Sequence, residues 1–260
     1  MLNINTNYAA AFATNAAKRT TASIETAMER LSTGSRINYS RDDAAGLAIA
    51  TRLNSEVQSL SAASRNAADA QSMLDTTDGA LAETHSVLIR MRELAVQAAN
   101  GTLDDTDRAA LDAEFQQLES EIDRINSNTS FAGVSLFDGS AKTFHIGTGN
   151  AVSDKVSHTF TSLASHNLDL DSAGPNNVVG GTTTDDVVRD LTSAANAQTM
   201  LGEIDAAIAT VSTERGKLGA LSNRLSSTVA NLDQIGVNLS SSKGRIQDAD
   251  FAAETSNLAK

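Results

Sequence analysis

From Ala44 to Asn100 the chain runs without a proline, and an apolar or small side chain returns at every seventh position: Leu53, Leu60, Ala67, Leu74, Leu81, Leu88 and Ala95. A strict seven-residue repeat keeps those side chains on one seam of a helix that winds against a partner. Only Gly46 and Gly79 interrupt it, and weakly. At 1.5 Å per residue the spacing predicts a helix of roughly 80 Å. A seam so narrow cannot enclose a core alone, so the helix needs partners along its length.

Helical periodicity returns at Asp185. Leu201, Ile204, Ile208, Val211, Leu218, Leu225, Val229, Leu232 and Leu239 fall on one alternating three-four track, broken at Arg215, Ser222 and Gly236. This is the expected antiparallel partner, because the chain reverses between the two. A shorter helix, entered through Asp104 or Thr106, carries Leu111, Phe115, Leu118, Ile122 and Ile125 and folds back on the first. From Phe131 to about Asp171 the period drops to two, with Phe144 and Ile146 facing Val156, His158 and Phe160 across Gly147, Gly149 and Asn150, a hairpin pattern. The predicted fold is mainly α: a long antiparallel coiled-coil or helical-bundle rod with a small β-hairpin region at one end. Its helix-pair core is expected from Leu53, Leu60, Leu74, Leu81 and Leu88 against Leu201, Ile204, Ile208, Val211, Leu218, Leu225 and Leu232.

In the N-terminal 33 residues a weak helical pattern is carried by Tyr8, Phe12, Ile24, Met28 and Leu31. Burying all five returns about 10 kcal/mol, whereas ordering the backbone costs on the order of 30 to 60 kcal/mol before helix hydrogen bonds offset part of it. This segment is expected to stay disordered until a second apolar surface is supplied. Between Arg30 and Gly46, Ser32-Thr33-Gly34-Ser35 breaks the helical pattern and Arg41-Asp42-Asp43 restarts it, with Asp42 or Asp43 as the cap of the long helix.

Composition excludes several classes. A net charge of −12 without a clustered Lys/Arg face argues against nucleic-acid binding. There is no cysteine, which removes disulfides, thiolate metal sites and a thiol nucleophile. The first residues lack the basic and apolar regions of a secretory signal peptide, and no stretch reaches the roughly 18 apolar residues of a membrane span. His85, His145, His158 and His166 have no metal-ligand spacing. Asp169, Asp171 and Gly174 mimic the start of a calcium loop, but its twelfth position is Gly180 rather than a bidentate Glu. Gly147-Thr148-Gly149 lacks the Lys-Ser/Thr of a phosphate cradle, and Asp42 and Asp43 need no role beyond capping. No catalytic set, cofactor or metal is expected.

Three stretches carry a family resemblance: RLSTGSRINYSRDDAAGLAIA from Arg30, IRMRELAVQAANGT from Ile89 and GRIQDADFAAETSNLAK from Gly244. They closely resemble bacterial flagellin. The resemblance implies a structural, non-enzymatic subunit that polymerises into the flagellar filament for swimming motility, secreted uncleaved through the flagellar type III export apparatus. On that pattern residues 1–40 and 244–260 are segments of an inner core domain, 41–139 and 185–243 the two halves of a helical rod, and 140–184 a short variable region facing outward. That middle leaves no room for additional outer domains or for a metallopeptidase insert. Flagellins usually continue for a further apolar-patterned segment beyond a position like Lys260, so the resemblance implies either a fragment or a variant form.

The implied partners are identical subunits in a helical filament, an export chaperone, cap and junction proteins, and the host Toll-like receptor that senses flagellin. No membrane is among them. In flagellins of this motif type the receptor reads the face that also meets neighbouring subunits. Here that face corresponds to Arg90, Met91, Arg92, Glu93, Leu94, Ala95, Val96, Gln97 and Glu114, with Ile89 as the clearest departure. The competing readings are a hook-filament junction protein, which shares the paired terminal helices, and a cell-surface binding variant of flagellin, which would need a ligand pocket in the hairpin region.

Overall fold

The computed structural model describes residues 7–149, 151–168, 170 and 190–259. Five helices carry the fold: α1 (Tyr8–Thr33), α2 (Ala44–Ala98), α3 (Asp105–Asn128), α4 (Ala194–Gln247) and α5 (Phe251–Ala259). Four short strands lie between α3 and α4: β1 (Ser130–Phe131), β2 (Val134–Ser135), β3 (Ala141–His145) and β4 (Lys155–Thr159). The residues cluster into two compact units, one of 1–62 with 231–260 and the other of 63–230. The division falls inside α2 and inside α4. A continuous helix shows no break in composition where its neighbours change.

In the first unit, residues 8–33 are helical, which corrects the expectation of disorder for this segment. Local terms account for the difference. The segment is rich in alanine, the strongest helix former. The Asn7 side chain accepts from the Ala10 N–H at 3.0 Å, and Gly34, at φ +70°, donates to the Arg30 carbonyl at 2.9 Å. α5 then packs on α1, where Arg30 Nη1 donates to Glu254 Oε1 at 2.8 Å. Much of the apolar surface of α1 is exposed even so, Tyr8, Phe12 and Met28 among it.

The linker after α1 is tied to the end of α4. Arg36 N–H donates to the Gln247 carbonyl at 2.7 Å, Arg36 Nη2 to the Ile246 carbonyl at 2.7 Å, and Ala249 N–H to the Gly34 carbonyl at 3.0 Å. The capping alternatives separate here. Asp43 accepts from the Gly46 N–H at 2.8 Å and caps α2, while Asp42 accepts from the Asn38 and Tyr39 N–H groups and closes the preceding turn. Gly46 lies close beneath this cap: a Cβ there would run into the Asp43 carboxylate and stand 2.8 Å from Ile37 Cδ1, so both side chains would have to shift.

In the second unit α2 and α4 run antiparallel, since Asp78 meets Arg215 while Arg92, further along α2, meets Asp205, earlier on α4. Leu74, Leu81, Leu88 and Ala95 are buried on α2; so are Leu53 and Leu60 within the first unit. Thr77 and Thr84 also lie buried, and each satisfies its hydroxyl by donating to the carbonyl four residues back, Met73 and Ala80.

On α4 the buried stripe is Ala197, Met200, Ile204, Ala207, Val211, Glu214, Leu218 and Leu225. Leu201 and Ile208, expected in the core, are half-buried on its flank, and Leu232 is half-buried in the first unit. The reading by large apolar residues missed Ala197, Ala207 and Glu214, which are buried although small or charged; Glu214 accepts from the Thr161 hydroxyl in the segment after β4. α4 begins at Ala194: the Ser193 hydroxyl accepts from the Asn196 N–H at 3.1 Å and Asp190 gathers the Thr192 N–H and hydroxyl. Residues 185–189 and the calcium-like pattern at Asp169, Asp171, Gly174 and Gly180 lie outside the described residues.

β3 and β4 pair antiparallel with Phe144 opposite Val156, the period-two segment read from sequence. β1 and β2 form a second, tighter hairpin through Ala132 at φ +49° and Gly133 at φ +81°, two consecutive left-handed residues of the kind that turn a two-residue hairpin. Side chains of α3 anchor the segment that follows β4. Asp123 accepts from the Ser165 N–H and hydroxyl, Asn126 from the Leu163 N–H, and buried Asp112 from the Leu191 N–H at 2.9 Å.

Candidate interface site

The last three turns of α2 are packed into the core of the second unit. Leu88, Met91, Leu94, Ala95 and Ala98 are buried, with Phe115 and Ile122 of α3 and Ile204 of α4 in the same cluster. A helix with one face so fixed turns the remaining side chains outward: Ile89, Arg90, Arg92, Glu93, Val96 and Gln97 are exposed. The nine expected interface residues therefore divide. Met91, Leu94 and Ala95 belong to the subunit's own core and are closed to a partner, whereas Arg90, Arg92, Glu93, Val96, Gln97 and Glu114 form a surface. The physical reason is helical period: positions three and four apart share the buried side.

Two arginines, two residues apart, reach from this surface to different helices. Arg90 donates through Nη2 and Nε to Glu114 Oε1 on α3, at 2.7 and 3.0 Å, and through Nη1 to Glu93 Oε2 at 3.0 Å. Arg92 donates through Nε and Nη2 to the two oxygens of Asp205 on α4, at 2.7 and 3.4 Å. Planar forks of this kind hold a side chain in one orientation. Glu114, then Glu93, push the Arg90 guanidinium further toward its charged form, and Arg92 holds the Asp205 carboxyl below the usual carboxylate range. Ile89 and Val96, 44% and 50% exposed, place apolar patches beside the ion pairs.

Asp205 escaped the sequence reading because its partner stands 113 residues away, with no local pattern to join them. Arg108 escaped it too. That buried side chain of α3 donates to the Ala98 and Asn100 carbonyls and so satisfies the C-terminal end of α2. Among the described residues no group of three His, Cys, Asp or Glu is placed to hold a metal ion, and no helix is long and apolar enough to cross a membrane. What this arrangement offers is a pre-ordered, mixed polar and apolar surface on a rigid pair of helices.

A long helical pair with a small antiparallel hairpin region defines a mainly α protein of the coiled-coil type. Residues 4–142 match the bacterial flagellin N-terminal helical region and residues 201–260 the bacterial flagellin C-terminal helical region. The flagellin of Halalkalibacterium halodurans is 41% identical over 228 residues, 88% of this chain and 79% of that protein. That of Bacillus subtilis is 36% identical over 280 residues, covering 100% of this chain and 91% of the relative. Among solved structures, Bacillus cereus flagellin superposes with a TM-score of 0.50 at 33% identity, over 65% of this chain and 88% of that one. A putative flagellar hook-associated protein from Vibrio parahaemolyticus shares the fold, with a TM-score of 0.64 over 80% of this chain and 100% of its own, at 17% identity. The chain belongs to the bacterial flagellin family and is a subunit of the flagellar filament, assembled from identical copies.

Proposed function

We propose that the exposed face formed by Arg90, Arg92, Glu93, Val96, Gln97 and Glu114 is where one subunit meets the next, and where the flagellin-sensing Toll-like receptor reads the free monomer. The observation that carries this is the Arg90–Glu114 pair: the charged groups are tied to each other across two helices, so little side-chain freedom is lost when a partner docks. Ile89 and Val96 supply apolar area at the edge of the same patch. The reading keeps both roles on one surface, so assembly hides what the receptor reads.

The rest of the proposal follows from family membership. The subunit is secreted through the type III apparatus with an export chaperone, meets junction and cap proteins at assembly, and has a mechanical rather than enzymatic role. Residues 1–40 and 244–260 act as inner core segments, 41–139 and 185–243 as the rod, and 140–184 as the outward variable region. Tyr8, Phe12 and Met28 of α1, exposed on the single subunit, gain an apolar partner inside the tube, so assembly buries them. The test pairs electron microscopy with a receptor-reporter assay on the Arg90→Ala protein. Loss of receptor activation by the soluble monomer is expected; unchanged activation would refute the receptor assignment.

A further inference from the structure

We propose that Asn100 is an intrinsic modification site, at which the side-chain amide is lost by attack of the chain's own backbone. Asn100 is followed by Gly101, both are exposed, and both lie beyond the last residue of α2. The Asn100 carbonyl closes a turn by accepting from the Leu103 N–H at 3.4 Å, while the Gly101 N–H makes no hydrogen bond among the described residues. The Asn100 carboxamide is folded back over the following peptide, its Oδ1 accepting from the Thr102 N–H at 3.3 Å. That bond draws electron density from Cγ, the carbon the Gly101 nitrogen attacks. Glycine adds no side chain to obstruct the approach.

The reaction needs only water. The Gly101 nitrogen loses its proton and bonds to Asn100 Cγ, the bond from Cγ to the amide nitrogen breaks, and ammonia leaves, which closes a five-membered imide. Water then opens either imide carbonyl. One opening yields aspartate. The other yields isoaspartate, in which the backbone runs through Cγ and the former main-chain carbonyl becomes a free carboxylate. That carbonyl oxygen is the one that now accepts from Arg108 Nη2 at 3.0 Å. A buried guanidinium therefore already stands against the atom that becomes anionic, and a charge-assisted bond replaces a neutral acceptor there.

Two other steps of the chain have the sequence for the same ring closure. At Asp78-Gly79 the backbone is inside α2 and Arg215 grips the carboxylate at 2.8 and 3.2 Å. At Asp138-Gly139 the carboxylate is taken by Lys142 and Ser140, which hold it ionised and a poor electrophile. Asn100-Gly101 alone of the three combines a neutral leaving amide, a backbone nitrogen outside any helix and solvent access. The product adds a negative charge one turn beyond Val96 and Gln97, on a chain already at −12.

The test holds the purified full chain in mildly alkaline buffer and follows the tryptic peptide of residues 93–108 by mass spectrometry, with isoaspartyl carboxyls counted by enzymatic methylation. A synthetic peptide of the same residues runs in parallel, with the Gly101→Ala protein as the control, since a Cβ at Gly101 meets nothing within 4 Å. The folded chain is expected to convert within a few-fold of the free peptide, and Gly101→Ala to slow it about tenfold or more. The assignment is overturned if the folded chain keeps its amide while the peptide reacts, if Gly101→Ala converts as fast as the parent, or if neither parent nor peptide converts.

Discussion

Arg108, in the first turn of α3, donates from Nε to the Ala98 carbonyl at 3.1 Å and so closes the end of α2 with a side chain from the next helix. Its Nη2 reaches the Asn100 carbonyl at 3.0 Å. One buried cation thus joins two helix termini of opposite dipole sense, and the 99–104 turn is held from below. Replacing it with Met keeps the aliphatic bulk but strands the Ala98 carbonyl and leaves the Asn100 carbonyl only its long bond from the Leu103 N–H. The expected cost is about 1 to 3 kcal/mol, read as a lower urea midpoint at unchanged slope; an unchanged midpoint would mean water satisfies these carbonyls.

Leu88 and Val96 belong to the same helix but differ in burial, at 0% and 50% exposure. Leu88→Ala is expected to destabilise by about 2 to 5 kcal/mol through lost burial and the cavity left behind. Val96→Ala should stay within about 0.5 kcal/mol. Chemical denaturation of the two proteins side by side checks the assignment of core and surface; equal losses would contradict it.

Arg90→Glu sets like charges against Glu114 and Glu93. The single variant is expected to lower receptor activation by the monomer and to weaken filament formation, with the melting temperature little changed because the side chains are exposed. Pairing it with Glu114→Arg restores the opposite-charge contact. Partial recovery of assembly in the double variant is the expected outcome, and identical defects in single and double variants would show that the pair itself is irrelevant.

His158 lies against Phe160 and faces Glu214 at 3.9 Å, with Lys217 beyond it. Burial lowers its pKa, Glu214 opposing and Lys217 assisting. The unfolded chain therefore takes up the proton first. The stability this neutral imidazole contributes is present above its ordinary value of 6.5 and is lost as pH falls from there toward the folded-state pKa. His158→Phe should flatten the fall in unfolding free energy over that window. A variant whose stability still drops as steeply would place the acid sensitivity elsewhere.

At a net charge of −12 the subunits repel as they approach. Polymerisation is expected to accelerate as added salt shortens the Debye length from about 30 Å to about 10 Å. Light scattering against ionic strength measures this, and a rate that falls with salt would count against repulsion as the barrier.

The heptad from Leu53 to Ala95 was legible without any structure, because one-dimensional spacing and burial on a helix are the same information. The motif stretches from Arg30, Ile89 and Gly244 carried the family for the same reason: each is a local string. The hairpin of Phe144 and Val156 was visible as a change of period. The tight turn at Ala132-Gly133 was not, since two-residue strands leave no pattern to count.

By itself, then, the sequence determined that the chain is a long proline-free helical pair, acidic, without thiol chemistry, and of flagellin type. Only the tertiary structure decided which side of α2 is spent inward at Met91, Leu94 and Ala95 and which is left for a partner at Arg90, Arg92 and Val96. It also decided that Arg92 answers to Asp205 and Arg108 to Ala98. The physical reason is that a seam fixes which positions face some helix, while the choice of neighbour depends on where the chain returns.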